Sequence, residues 1–205
     1  MRATQKILIV LTFLGVSPVA WPAGPDCFPP AVLPENPFPV VRIETSMGDI
    51  TVELDRKRAP ATVNNFLRYV VEGQYANTIF HRVMPGFVVQ GGGYTEAIEE
   101  RELHPPIVNE SGNGLKNMPM TIAMARYDDP HSATSQFYFN LAANASLDPN
   151  PKSWGYAVFG LVISGQEVVE AIAAVDTGYH EGLDAENVPL VPVKILSASV
   201  MEQPH

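Results

Sequence analysis

Two β-branched and aromatic runs, Ile79 to Val83 and Phe87 to Gln90, flank Met84-Pro85-Gly86. Proline followed by glycine is the order a tight turn favours, so the stretch predicts a bent hairpin or corner. Alternate side chains on a strand share a face. Phe80 and Arg82 are therefore expected to project one way, with Val88 and Gln90 on one face and Phe87 and Val89 on the other. Gly91, Gly92 and Gly93 remove side chains where the backbone must turn or where another group must approach closely. A cation, aromatics and an amide on paired strands read as a working surface.

The rest of the chain supplies more of the same elements. At 205 residues and 46% apolar composition it is long enough for one buried core and short for two. Val41, Ile43 and Thr45 alternate with Arg42 and Glu44, and Ile50, Val52 and Leu54 alternate with Thr51 and Glu53, across Ser46-Met47-Gly48-Asp49. That pattern predicts a β-hairpin. Pro60 suits a first helical position, and Val63, Phe66, Leu67 and Val70 follow at helical spacing until Gly73. Thr121 to Ala125, Ser135 to Leu141, Tyr156 to Gly160 and Val191 to Val200 read as strands. Ser164-Gly165-Gln166-Glu167 has the form of a capping box, and Val168, Ile172 and Val175 after it predict a second helix ending near Gly178. The fold class is mainly β: a closed β-barrel capped by two α-helices, one early and one late.

Thirteen Lys and Arg against 22 Asp and Glu give a net charge of -9, which argues against nucleic acid as a partner. Cys27 is the single cysteine, so neither an intrachain disulfide nor a cysteine metal cluster is available. His81, His104, His131 and His180 show no ligand spacing, and Gly91-Gly92-Gly93 lacks the lysine of a phosphate loop. No metal or cofactor is expected.

Residues 1–23 place Arg2 and Lys6 before the apolar run Ile7 to Val16 and the small residues Ala20 and Ala23, the layout of a secretory signal peptide. The run is too short to span a bilayer comfortably. Residues 24–39, with Pro25, Pro29, Pro30, Pro34, Pro37 and Pro39, predict an extended proline-rich linker, and residues 40–205 the folded domain.

Phe80-His81-Arg82-Val83, then Gly86-Phe87 and Gln90-Gly91-Gly92, then Ser135-Gln136-Phe137-Tyr138 and Val158-Phe159-Gly160 together resemble the cyclophilin family of peptidyl-prolyl cis-trans isomerases. Ile122-Ala123-Met124-Ala125-Arg126 is similar to the exported bacterial branch. The resemblance covers roughly Val41 to Val200. It implies an eight-stranded antiparallel barrel with a helix over each end and an external substrate groove. It also implies roles: Arg82 as the catalytic arginine, Gln90 and Gln136 as polar groove residues, and Phe87, Met124, Tyr138 and Leu147 as the apolar pocket for the substrate proline. Ala125 and Arg126 fall where the family pairs with substrate backbone, and Tyr156 stands where many members have histidine. Two positions depart from the pattern. Tyr138 replaces the usual phenylalanine and adds a hydroxyl that must be solvated or bonded. Ser146 stands where many members carry an aromatic ring at the groove edge, and Trp154, further along the same loop, is the ring available to fold back in its place.

Rotation about an X-Pro bond needs no nucleophile or cofactor, only support for the twisted amide. The implied function is therefore acceleration of that rotation in proline-containing, unfolded or partly folded exported polypeptides. The protein is expected to act as a periplasmic monomer, with no membrane association after signal cleavage. The alternative is a non-catalytic module or chaperone that holds proline segments in the same groove.

Overall fold

β1 (Val40–Thr45) and β2 (Gly48–Leu54) pair antiparallel with Val41 opposite Val52 and Ile43 opposite Ile50. The residues that alternate as apolar in sequence are the ones buried. The remaining barrel strands are β3 (Thr78–Met84), β4 (Val88–Thr95), β5 (Thr121–Met124), β6 (Phe137–Asn140), β7 (Val158–Ser164) and β10 (Lys194–Val200). They close in the order β1-β10-β3-β4-β6-β5-β7-β2, every pairing antiparallel. The expected eight-stranded closed barrel is what forms. This computed structural model describes residues 29–202. The predicted signal peptide, its cleavage site and Cys27 lie outside the described residues.

α1 (Pro60–Val71) starts at its proline and buries Val63, Phe66, Leu67 and Val70, the helical-spaced set. Phe66 meets Tyr75, Phe137 and Phe159 at ring-centroid distances of 5.2, 5.5 and 5.2 Å. This aromatic cluster closes the barrel mouth where β2 ends. α2 (Gln166–Ala173) packs where β2 begins, burying Val169 and Ile172. Its start differs from expectation. Ser164 is the last residue of β7, the N-cap is Gly165 at φ 83°, and no side chain caps the helix, so the predicted capping box does not form. An added Cβ at Gly165 would lie 2.2 Å from the Asp49 carbonyl. The close approach of the β1–β2 turn thus selects glycine there and displaces Ser164 from the cap.

A two-stranded ribbon, β8 (Thr177–His180) with β9 (Ala185–Pro189), lies outside the barrel order. Gly178, read as a helix end, sits within it, because α2 already stops at Ala173. In the proline-rich stretch, the Pro37 and Pro39 carbonyls accept hydrogen bonds from the backbone N–H groups of Arg56 and Leu54, and Lys57 lies over the Phe38 ring at 5.2 Å. The C-terminal part of that stretch is therefore tied against the barrel.

α1 has no side-chain cap of its own, with Ala59 at the N-cap. Glu110, far away in the sequence, reaches it instead. Its carboxylate accepts hydrogen bonds from the N–H groups of Ala61 (3.1 Å) and Thr62 (2.8 Å) and from the Thr62 hydroxyl (2.7 Å). A negative charge there also opposes the positive end of the helix dipole. Glu110→Ala should therefore cost about 1–2 kcal/mol, read as a lowered urea midpoint with an unchanged slope. A midpoint equal to wild type would show that the contact contributes nothing.

Candidate functional site

One outward-facing row crosses five strands. Arg82 on β3 lies opposite Gln90 on β4, Gln90 opposite Tyr138 on β6, Tyr138 opposite Ala123 on β5, and Ala123 opposite Val158 on β7. The row exists because of a bulge. Phe80 pairs with Gly91 and Arg82 with Gln90, so β3 advances two residues where β4 advances one. Phe80 and Arg82 were expected on one face. The bulge at His81 flips them apart, leaving Phe80 fully buried among Phe137 and Phe139 and Arg82 half-buried at the surface.

Arg82, Gln90 and Gln136 form a chain: Arg82 Nη1 donates to Gln90 Oε1 (3.2 Å), and Gln90 Nε2 donates to Gln136 Oε1 (2.9 Å). Gln136 can lie in that position because Gly93 is bare. A Cβ on Gly93 would stand 2.6 Å from Gln136 Cγ, so the third glycine of the run makes room for an amide.

Beside the chain lies an apolar depression. Val88, Ala123, Tyr138 and Val158 are buried together on the outer face, and Phe87, Ala125, Leu147 and Tyr156 pack against them. Phe87 sits just after the Met84–Gly86 turn, its N–H bonded to the Met84 carbonyl (2.9 Å). The groove containing both parts has a volume of about 450 Å3, within the usual range for ligand clefts.

Met124 is the predicted site residue that does not line the groove. It is 1% exposed and belongs to the barrel core, opposite Phe137, while Ala123 takes the outward face of β5. The period of two put one of these neighbours outside, and the register with β6 decides which. Val88 instead supplies the groove wall, as its shared face with Gln90 implied.

At the other side, Ala125 donates its N–H to the Gln136 carbonyl (2.9 Å). Arg126 donates from Nε to the Gly155 carbonyl (2.9 Å) and its guanidinium lies 4.6 Å from the Tyr156 ring centroid. Tyr156 in turn meets Tyr138 edge-on at 6.0 Å. Tyr127, Ser132 and Thr134 extend the groove beyond Gln136 and were not foreseen. The alternation Thr134, Gln136, Tyr138 carried a signal for the last of these. Trp154 does not refill the place of Ser146: it is exposed, stacks edge-on with His131 at 5.2 Å, and does not line the groove. The Tyr138 hydroxyl is bonded, donating to Asn117 Oδ1 at 2.8 Å, so the extra oxygen is buried without penalty.

No carboxylate or histidine lines the groove among the described residues. It offers the guanidinium groups of Arg82 and Arg126 and the amides of Gln90 and Gln136 beside an apolar depression, which suits electrostatic support of a bound amide. His81 lies behind it, 7% exposed, against the Tyr94 ring at 5.0 Å. Burial, with the neighbouring Arg82 charge adding to it, lowers its pKa from 6.5 to about 4. The unfolded chain thus takes up a proton near 6.5 that the folded chain refuses until about 4. Stability is expected to fall as pH drops through that window, by roughly 3 kcal/mol in full. Urea midpoints at about pH 7 and about pH 4.5 should move apart for the wild type and much less for His81→Gln. Equal movement in both proteins would place the acid sensitivity elsewhere.

The family described as cyclophilin type peptidyl-prolyl cis-trans isomerase/CLD matches residues 40–200. The chain is 49% identical over 164 residues to peptidyl-prolyl cis-trans isomerase cyp18 of Streptomyces antibioticus, covering 78% of this chain and 98% of that protein. It is 45% identical over 166 residues to peptidyl-prolyl cis-trans isomerase B of Escherichia coli strain K12, covering 80% of this chain and 100% of the relative. Among solved structures, a cyclophilin type isomerase of Cryptosporidium parvum superposes with a TM-score of 0.67 at 26% identity, over 82% of this chain and 99% of that one. The same protein has been solved in the presence of the dipeptide Ala-Pro, with a TM-score of 0.66 at 25% identity, over 80% of this chain and 99% of that one. With a family match along almost the whole described barrel and relatives near half identity, this chain belongs to the cyclophilin-type peptidyl-prolyl cis-trans isomerases.

Proposed function

We propose that isomerisation is carried out by Arg82, supported by Gln90 and Gln136, on a proline ring seated against Phe87, Val88, Tyr138 and Leu147. The carrying observation is the hydrogen-bonded chain from Arg82 through Gln90 to Gln136 beside an apolar depression on the same outer row. A planar X-Pro amide faces a barrier of about 18–20 kcal/mol because twisting breaks its resonance. In the twisted state the nitrogen regains a lone pair that accepts a hydrogen bond, which neither planar isomer offers equally. A guanidinium held beside that nitrogen therefore binds the transition state better than either ground state. Gln90 engages one nitrogen of Arg82 and fixes the fork, leaving other N–H donors for the substrate. The apolar wall anchors the ring, so that the carbonyl side turns.

Removing a charged donor that acts only in the transition state costs about 1.5–3 kcal/mol, or about 10- to 100-fold in rate. Arg82→Ala should lower kcat/KM by that factor in a protease-coupled assay on a short X-Pro peptide, with thermal stability nearly unchanged. Arg82→Lys should lose much of the activity too, because an ammonium cannot keep both the Gln90 bond and a second donor in place. A folded Arg82→Ala protein that turns over at the wild-type rate would reject the assignment. A groove that binds X-Pro peptide without accelerating its isomerisation would instead favour the holding function.

The clients are proposed to be proline-containing, unfolded or partly folded polypeptides of the periplasm, reached through the signal-like residues 1–23, and the protein is proposed to act as a monomer. Arg2 and Lys6 before the apolar run Ile7 to Val16 support export. A chain lacking residues 1–23 should fold, stay active and remain in the cytoplasm, whereas the full chain is recovered from the periplasmic fraction in shortened form. Recovery of both in the cytoplasm would overturn the export proposal.

A further inference from the structure

Behind the proline pocket lies a buried polar assembly that the groove chemistry does not use. Asn117 is 1% exposed and sits at its centre. Its Oδ1 accepts the Tyr138 hydroxyl (2.8 Å) and Asn140 Nδ2 (3.1 Å). Its own donors both go to one atom: the backbone N–H and Nδ2 reach Asp148 Oδ1 at 2.9 and 3.0 Å. The other Asp148 oxygen faces the Lys116 ammonium at 3.6 Å. Burial raises the Asp148 pKa, but the Asn117 donors and Lys116 outweigh it and hold the carboxyl below its usual range. Asp148 directly follows Leu147, so the residue that grips Asn117 also carries a wall of the pocket.

A side-chain amide can point its oxygen or its nitrogen either way, and the charge on Asp148 removes the choice. An ionised carboxylate only accepts, so it must face Nδ2, and Oδ1 is then turned toward Tyr138. The phenol, which only gains from donating into that oxygen, is fixed along its long axis. We infer that Asp148 and Asn117 are positioning residues for the isomerase: Asp148 orients Asn117, and Asn117 holds the Tyr138 ring at the depth the substrate proline needs. This rests on the assignment of Tyr138 to the proline pocket.

A pocket that grips the ring equally in ground and transition states contributes to KM, whereas Arg82 acts on kcat. Asp148→Ala should therefore raise KM for a short X-Pro peptide about five- to tenfold with kcat changed less than twofold. Asp148→Asn should restore most of the affinity, because its amide oxygen still accepts both Asn117 donors. Tyr138→Phe should raise KM about five- to tenfold, as Asp148→Ala does, and adding Asp148→Ala in that background should raise it by less than a further twofold, since Asp148 acts through the lost hydroxyl. All variants are compared below their unfolding temperatures. If Asp148→Ala does not fold, Tyr138→Phe alone reports, and an unchanged KM in it overturns the inference. So does a double variant whose effects multiply in full. Tyr138→Ala is the control for the pocket itself: an unchanged kcat/KM there would reject Tyr138 as a pocket wall, and the inference would fall with that assignment and not through the network.

Discussion

The bulge in β3 is the constraint on which the site depends. An unbulged strand would carry Phe80 and Arg82 on one face, and either choice of face is costly. Turned inward, Arg82 would bury a cation without a partner, which folded proteins do not tolerate. Turned outward, Phe80 would abandon Phe137 and Phe139 in the barrel interior. One extra residue resolves the conflict, and that residue is His81. Its imidazole is left in a nearly dry position where Nδ1 has no hydrogen-bond partner among the described residues. The unfavourable burial of a histidine is thus a cost of aiming the arginine. Bulges beside active sites commonly re-aim a side chain in this way.

The pocket wall inherits its position from the core in the same manner. β6 alternates Phe137 and Phe139 inward with Tyr138 and Asn140 outward. Phe137 is gripped edge-on by Phe66 of α1, so the helix that closes the barrel also fixes the strand that carries the pocket aromatic. The long loop before β5 works alongside. Glu110 caps α1, Asn113 Nδ2 donates to the Val158 carbonyl (2.9 Å), and Asn117 receives Tyr138, so one loop runs as a strap from the helix terminus to the back of the pocket. What composition marks as a polar connection is held by a polar side chain at each step, a carboxylate first and then two amides.

That loop marks the limit of what the sequence disclosed. The hairpin of β1 and β2, the helix begun at Pro60 and the outer strands were legible because burial on one face leaves a period of two or 3.6 in the chain. Arg82, Phe87, Gln90, Gln136, Tyr138, Leu147, Ala125, Arg126 and Tyr156 were found through the family pattern, and the structure gathers them in one groove. Met124 was assigned to the pocket by the same family pattern and failed, because the register of β5 against β6 sets it opposite Phe137 in the core and gives the outward face to Ala123. Ser164 failed as a cap because a backbone contact with a distant turn, invisible to local pattern, required glycine next to it. Glu110 and Asn117 act through small sets of hydrogen bonds across long separations, and such contacts leave no periodicity at all.

The distance between the two halves of the site follows from these registers. Arg82, Gln90 and Tyr138 sit on three neighbouring strands, so the first and last backbones stand roughly 10 Å apart at about 4.8 Å per strand. That is too far for a short side chain on β3 to touch an amide whose proline ring rests on Tyr138. Arginine has the reach, yet a long side chain on an open surface would lose rotamer entropy on being ordered. Gln90, on the strand between, removes much of that cost in advance by accepting from Nη1. Gln136 then fixes Gln90 by taking its amide N–H. Gln136 itself is seated by the missing side chain of Gly93. Each member of the chain is ordered by the next, back to a glycine in β4, and this sequence of constraints lets a flexible cation serve as a fixed donor.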